Sequence, residues 1–222
     1  YRAITENFSS LPEVKTNLLE LALYQTVHAG LKAGDPASAT NAVTKILAWY
    51  PTSFLAGRSV LVVGQGVSQA GDTRTARKIL SDFLKQMPDS PDRPEVELAI
   101  ARIHEQEANW TEAIRQYDGW VARFTNHSAR AHAEYYRGLA NYRAGLETNA
   151  LTLFTNFVAR FSTNDLAPLA QYWVADCYRR LEDFRSAEEN YQLLFQKWPP
   201  SDLTYQARLM AGEPGRKSLV VK

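Results

Sequence analysis

Apolar side chains return along this chain with a long, regular period. An alanine stands at Ala39, Ala76, Ala113, Ala150 and Ala187, each step being 37 residues. Four residues after it come Val43, Leu80, Tyr117, Phe154 and Tyr191, and seven after it Ile46, Phe83, Trp120, Phe157 and Leu194. Eight after it stand Leu47, Leu84, Val121, Val158 and Phe195, and eleven after it Tyr50, Met87, Phe124, Phe161 and Trp198. Positions 0, 4, 7, 8 and 11 share one face of an α-helix, so each alanine opens the buried stripe of an amphipathic helix.

The polar positions supply the punctuation. Asp35, Asp72, Asn109 and Asp183 precede their alanines by four residues, where a side-chain oxygen accepts from the free N–H groups of a helix start; the fourth repeat has Leu146 there instead. Gly34, Gly71 and Gly145 suit the left-handed stop of a preceding helix, and Pro51, Pro88 and Pro199 close the alanine-bearing one. That preceding helix carries Ala22, Ser59, Val96, Ala133 and Ala170 in the same register, and Ala207 continues it. The pattern predicts an all-α array of antiparallel helix pairs. Residues 18–204 hold five pairs, 1–17 the tail of an earlier repeat with a linker, and 205–222 the first helix of an incomplete sixth.

Composition narrows the function. With 25 basic against 24 acidic groups, the chain lacks the strong positive charge of a nucleic-acid binder. No apolar run reaches the ~18 residues needed to cross a bilayer. A single cysteine permits no internal disulfide and no thiolate metal cage. Cys177 falls where other repeats have Ala29, Gly66, Ile103 and Ala140, which are core-type positions. The four histidines occupy different repeat positions without a metal-ligand spacing, and Gly64 and Gly66 have neither the spacing nor the preceding strand of a phosphate loop. Neither catalytic residues nor a cofactor or metal are expected.

Small residues in the first helix, the alanine of the second, the aromatic residue four further on and the closing proline resemble the tetratricopeptide repeat (TPR). The clearest case is Ala170 to Ala187, continued by Tyr191, Leu194, Phe195, Trp198 and Pro199. The resemblance implies a right-handed superhelical solenoid that holds other proteins. The bulky residues at Ile46, Phe83, Trp120, Phe157 and Leu194, and the longer repeat, are similar to the bacterial cell-envelope subgroup that includes Tol-Pal coordinators and outer-membrane assembly lipoproteins. A periplasmic or outer-membrane-associated location follows from that likeness alone; without it the location would be cytoplasmic.

In such solenoids the first helices line the concave face. Carried onto this chain, that face takes Arg102, Tyr135, Tyr142, Arg143, Tyr172, Asp176, Arg179 and Arg180 as the partner-binding residues. Tyrosine and arginine are frequent binding anchors, and the face leans basic, so the expected ligand is a peptide or protein segment of acidic character. The expected function is a non-catalytic interaction scaffold. The alternative is the recognition arm of a larger enzyme whose catalytic domain lies elsewhere.

Overall fold

The computed structural model describes residues 1–8 and 10–198. Among them are twelve α-helices and no strand. Two short helices, α1 (Arg2–Asn7) and α2 (Pro12–Asn17), precede ten longer ones. These are α3 (Leu19–Lys32), α4 (Pro36–Trp49), α5 (Phe54–Gln69), α6 (Thr73–Gln86) and α7 (Arg93–Gln106), followed by α8 (Trp110–Arg123), α9 (Arg130–Arg143), α10 (Glu147–Arg160), α11 (Ala167–Arg180) and α12 (Phe184–Lys197). The sixth repeat expected at 205–222 lies outside the described residues, as does Pro199.

The periodic positions supply the core, except that those eight after the alanine lie at its edge, Leu47, Leu84 and Val121 being half-buried and Phe195 42% exposed. Ala39, Ala76, Ala113 and Ala150 are fully buried, as are Ile46, Phe157 and Leu194, while Phe83 and Trp120 are 1% exposed. The turn inside each repeat is one motif five times over. The N–H of Asp35 donates to the Gly30 carbonyl at 2.8 Å, and Asp72, Asn109, Leu146 and Asp183 do the same to Val67, His104, Asn141 and Tyr178 at 2.9 to 3.1 Å. This is the Schellman closure, which satisfies a carbonyl the helix end would leave bare. It needs a left-handed residue, supplied by Gly34, Gly71 and Gly145 at φ 70°, 96° and 74°. Ala108 and Glu182 take the same conformation, at φ 52° and 63°. Asp35, Asp72 and Asp183 then cap the second helix by accepting from Ser38, Thr75 and Ser186; Leu146 has no side chain to do so.

The chain divides into two compact units, 1–109 and 110–222. In the N-terminal unit α3 packs on α4 and α5, and α5 packs on α6 and α7. Its core is aliphatic, centred on Leu23, Val27, Ile46, Val60, Val63 and Leu80. In the C-terminal unit each helix from α8 to α12 packs on the next. Here the core is aromatic, built on Tyr135, Tyr142, Phe154, Phe157, Tyr172 and Trp198.

Candidate protein-binding face

The face is built on the first helices of the repeats. In the C-terminal unit these are α9 and α11, and bulky rings fill the seam between them. Trp173 of α11 lies 4.7 Å from Tyr142 and 6.3 Å from Phe154, ring centre to ring centre, and its indole N–H donates to the Tyr135 hydroxyl at 2.9 Å. Tyr172 packs on Trp173 and on Tyr191 of α12 at 4.9 and 5.9 Å. Tyr135, Tyr142 and Tyr172 are therefore buried, with 5 to 7% of their surface exposed.

Asp176 sits at the centre of this seam and is 1% exposed. Its carboxylate accepts from the Tyr142 hydroxyl, from the Tyr191 hydroxyl at 3.2 Å and from Arg179 Nε at 2.7 Å. A buried carboxylate is costly unless its lone pairs are used, and here three helices contribute to using them. Arg180 Nε lies 3.8 Å from the same carboxylate. Its guanidinium stacks 3.7 Å over the Tyr142 ring and its far end reaches Glu147 at 3.5 Å. Arg143, the last residue of α9, stacks on Trp110 at 5.6 Å. Burial, and then the bond to Asp176, raise the Tyr142 hydroxyl well above the ordinary tyrosine range. Burial, reinforced by the neighbouring Tyr136, pushes Tyr135 up to about 12. It also pushes the Cys177 thiol up to about 12, far from a reactive thiolate.

The eight residues expected on the binding face thus fall into three groups. Tyr135, Tyr142, Tyr172 and Asp176 are buried in the seam. Arg143, Arg179 and Arg180 are exposed beside it, at the C-terminal ends of α9 and α11, where a positive side chain also offsets the helix dipole. Arg102 is exposed on α7 in the N-terminal unit. Sequence reasoning passed over Trp173, which ties Tyr135 to α11, and Gln171, buried and bonded to Asn190 at 2.9 Å. Gln171 adjoins the small buried Ala170, and that adjacency was the available signal for it; Trp173 stands between Tyr172 and Val174 and carried none. Among the described residues no cluster of three or more His, Cys, Asp or Glu is placed to hold a metal ion. No helix among them is long and apolar enough to cross a membrane.

Solved structures share this fold. A Podosopora anserina putative kinesin light chain with nearly identical TPR-like repeats aligns at 15% identity, covering 88% of this chain and 95% of its own, with a TM-score of 0.60. MamA residues 41 to the end from Desulfovibrio magneticus RS-1 aligns at 15% identity over 81% of this chain and 95% of its own, TM-score 0.61. At such identities the likeness establishes a TPR-like helical-repeat fold. No curated protein matches the sequence significantly. The sequence profile of YfiO, described as outer membrane lipoprotein, matches residues 58–211, more than half of the chain. This chain belongs to the YfiO family.

Proposed function

We propose that this protein is a non-catalytic scaffold of the bacterial envelope that receives an acidic segment of a partner protein on the first-helix face of its C-terminal unit. The observation that carries the reading is the group Arg143, Arg179 and Arg180. Each guanidinium is held on one side, by Trp110, by Asp176, or by Tyr142 with Glu147, and remains exposed on the other. A guanidinium carries five N–H donors in a fixed fork, so Arg179, which spends Nε and Nη2 on Asp176, retains donors for a second carboxylate. The buried tyrosines act as the rigid backing of this group, which lowers the ordering cost of binding. The envelope location is supported by family membership.

The test is capture of partners from the native bacterium with the full-length protein, wild type against the Arg143→Ala, Arg179→Ala, Arg180→Ala triple variant. Circular dichroism confirms that the variant is folded. The expected result is loss of a specific envelope protein from the variant's captured set, with binding that weakens as salt is raised. An unchanged set, or one made up of cytoplasmic proteins, would sink the proposal.

A further inference from the structure

The inter-repeat turns of the N-terminal unit hold a feature that the basic face does not explain. Residues 51–53 lead into α5 and residues 87–92 lead into α7, and a cavity of about 510 Å³ lies between these turns. Pro51, Phe54, Met87 and Pro88 give it apolar walls. Among the described residues that line it, Asp89 and Asp92 carry the formal charges.

The two turns are one motif used twice. Ser53 and Ser90, 37 residues apart, each accept the N–H of the residue two further on, Leu55 at 3.0 Å and Asp92 at 3.2 Å. Arg93 ties down the second turn, donating from Nη1 to the Pro88 carbonyl at 2.7 Å and from Nε to Glu97 at 2.8 Å. Pro51, Pro88 and Pro91 each fix a backbone φ. The walls are therefore set in advance of any ligand.

The Asp92 carboxylate distinguishes this junction. A Cβ on Gly57 would collide with Asp92 Oδ2, so it is the glycine that admits this side chain against α5. Two repeats later the same two places hold Ala131 and Leu166, which join the aromatic core. An apolar pair closes that junction by packing; the glycine and aspartate do not. Asp92 stands at the N-cap of α7, yet its side chain makes no cap bond. Among the described residues no hydrogen bond or ion pair reaches its carboxylate. Burial, and then Glu95, hold the carboxyl above its ordinary range, while Arg58 acts the other way. A half-buried carboxylate without a donor is costly, and a cation placed beside it relieves that cost.

The lining specifies the ligand. Its two carboxylates disfavour an anion, and they supply too few oxygens for a bare metal ion. The apolar walls call instead for a hydrocarbon body. Phe54 is 65% exposed and carries the Arg58 guanidinium 4.6 Å over its ring, so its aromatic face already accepts a cation. The volume falls in the range of small-molecule sites, roughly 300–1,000 Å³.

We propose that this cavity is a binding site for a small organic ammonium ion with an apolar body, of the arylalkylamine kind. The ammonium pairs with Asp92, and the apolar body lies among Phe54, Met87 and Pro88. The site stands at the inter-repeat turns rather than along the first-helix face, and it does not depend on the arginine group of the C-terminal unit.

The experiment is isothermal titration calorimetry of the full chain at about pH 7, where an alkylamine is protonated. The ligands are phenethylammonium, phenylethanol, which has the same shape without the charge, and phenylacetate. Phenethylammonium should bind saturably and at least about tenfold more tightly than either of the others. Asp92→Asn, which keeps the side chain's shape, should remove that preference, and Arg179→Ala with Arg180→Ala should leave it intact. The three-ligand comparison on the unaltered chain tests the charge preference independently of any variant's stability. Equal binding of phenethylammonium and phenylethanol, a preference that survives Asp92→Asn, or no saturable binding of phenethylammonium at about 10 mM would overturn the proposal.

Discussion

The two units use the same 37-residue register but fill their first-helix seams with opposite materials. In the N-terminal unit Gly64 and Gly66 bring the α5 backbone against Leu80 and Leu31, and the seam is closed by aliphatic contact. In the C-terminal unit Tyr135, Tyr142, Tyr172 and Trp173 fill the seam with rings, and Asp176 fastens the Tyr142 and Tyr191 hydroxyls and two arginines into a network. The lesson is that a helical repeat fixes which positions are buried without fixing what holds them. The glycine-bearing seam has cavities at its surface, whereas the aromatic seam is packed with rings and carries exposed arginines at its edge.

The largest expected contrast comes from equivalent core positions. Phe154→Ala should cost about 3–5 kcal/mol, because a fully buried ring leaves a cavity that its aromatic neighbours cannot collapse to fill. Leu80→Ala, at the matching place in the N-terminal unit, should cost about 2–4 kcal/mol. Urea unfolding followed by hydrogen exchange in each unit would measure both, and a larger loss for Leu80→Ala would break the comparison. Next comes the network itself. Asp176→Ala removes the shared acceptor of two tyrosine hydroxyls and should destabilise the C-terminal unit by about 2–4 kcal/mol. A thermal melt unchanged within error would show that the network contributes nothing.

Alkali should also separate the units. A tyrosine or thiol whose pKa is raised by folding binds more protons in the native state than in the unfolded one across the interval between the two values. Its contribution is complete below the unfolded pKa and is lost as pH rises through the folded one. For Cys177, pushed from 9 to about 12, that interval starts near pH 9; for Tyr135, raised from 10 to about 12, it starts near pH 10. The C-terminal unit should therefore lose stability between pH 9 and 12 while the N-terminal unit changes less, as read by hydrogen exchange corrected for intrinsic rates. Parallel losses would contradict the difference in buried tyrosines. The smallest effect concerns a cap. Leu146 has φ −99° and ψ 61°, close to the −90° and 70° of the capping Asp72. Leu146→Asp should stabilise the C-terminal unit by about 0.5–1 kcal/mol, and Asp72→Ala should weaken the N-terminal one by about 1 kcal/mol.

These contrasts also mark what the sequence could disclose. The helices and their buried stripes were legible because Ala39, Ile46, Phe83 and Phe157 sit where the helical period alone demands burial. The turns were legible through Gly34, Gly71 and Gly145, and not through Ala108 or Glu182, which adopt the same backbone without the composition that signals it. The binding face was harder to read. Tyr142 and Asp176 are 34 residues apart, and only the packing of α9 near α11 makes each the reason the other can be buried. Counting from the alanine gives the direction in which a first-helix residue points; it does not tell a seam from a surface. For the same reason a uniform period gave no sign that the third repeat is divided, with α7 in one compact unit and α8 in the other.

The placement of the indoles has an optical consequence. Of the five tryptophans, Trp49 alone lies in the N-terminal unit, where it is 41% exposed; Trp110, Trp120, Trp173 and Trp198 lie in the C-terminal one. Trp120 is sealed from water, and Trp173 touches Tyr142 and Tyr135. Intrinsic emission of this protein is consequently a weighted readout: a blue-shifted signal reports the aromatic half, and a faint red-shifted one the aliphatic half. Ellipticity at 222 nm, by contrast, sums helices from both. A melt in which the two signals fail to superimpose would reveal, without any label, which half of the array lets go first.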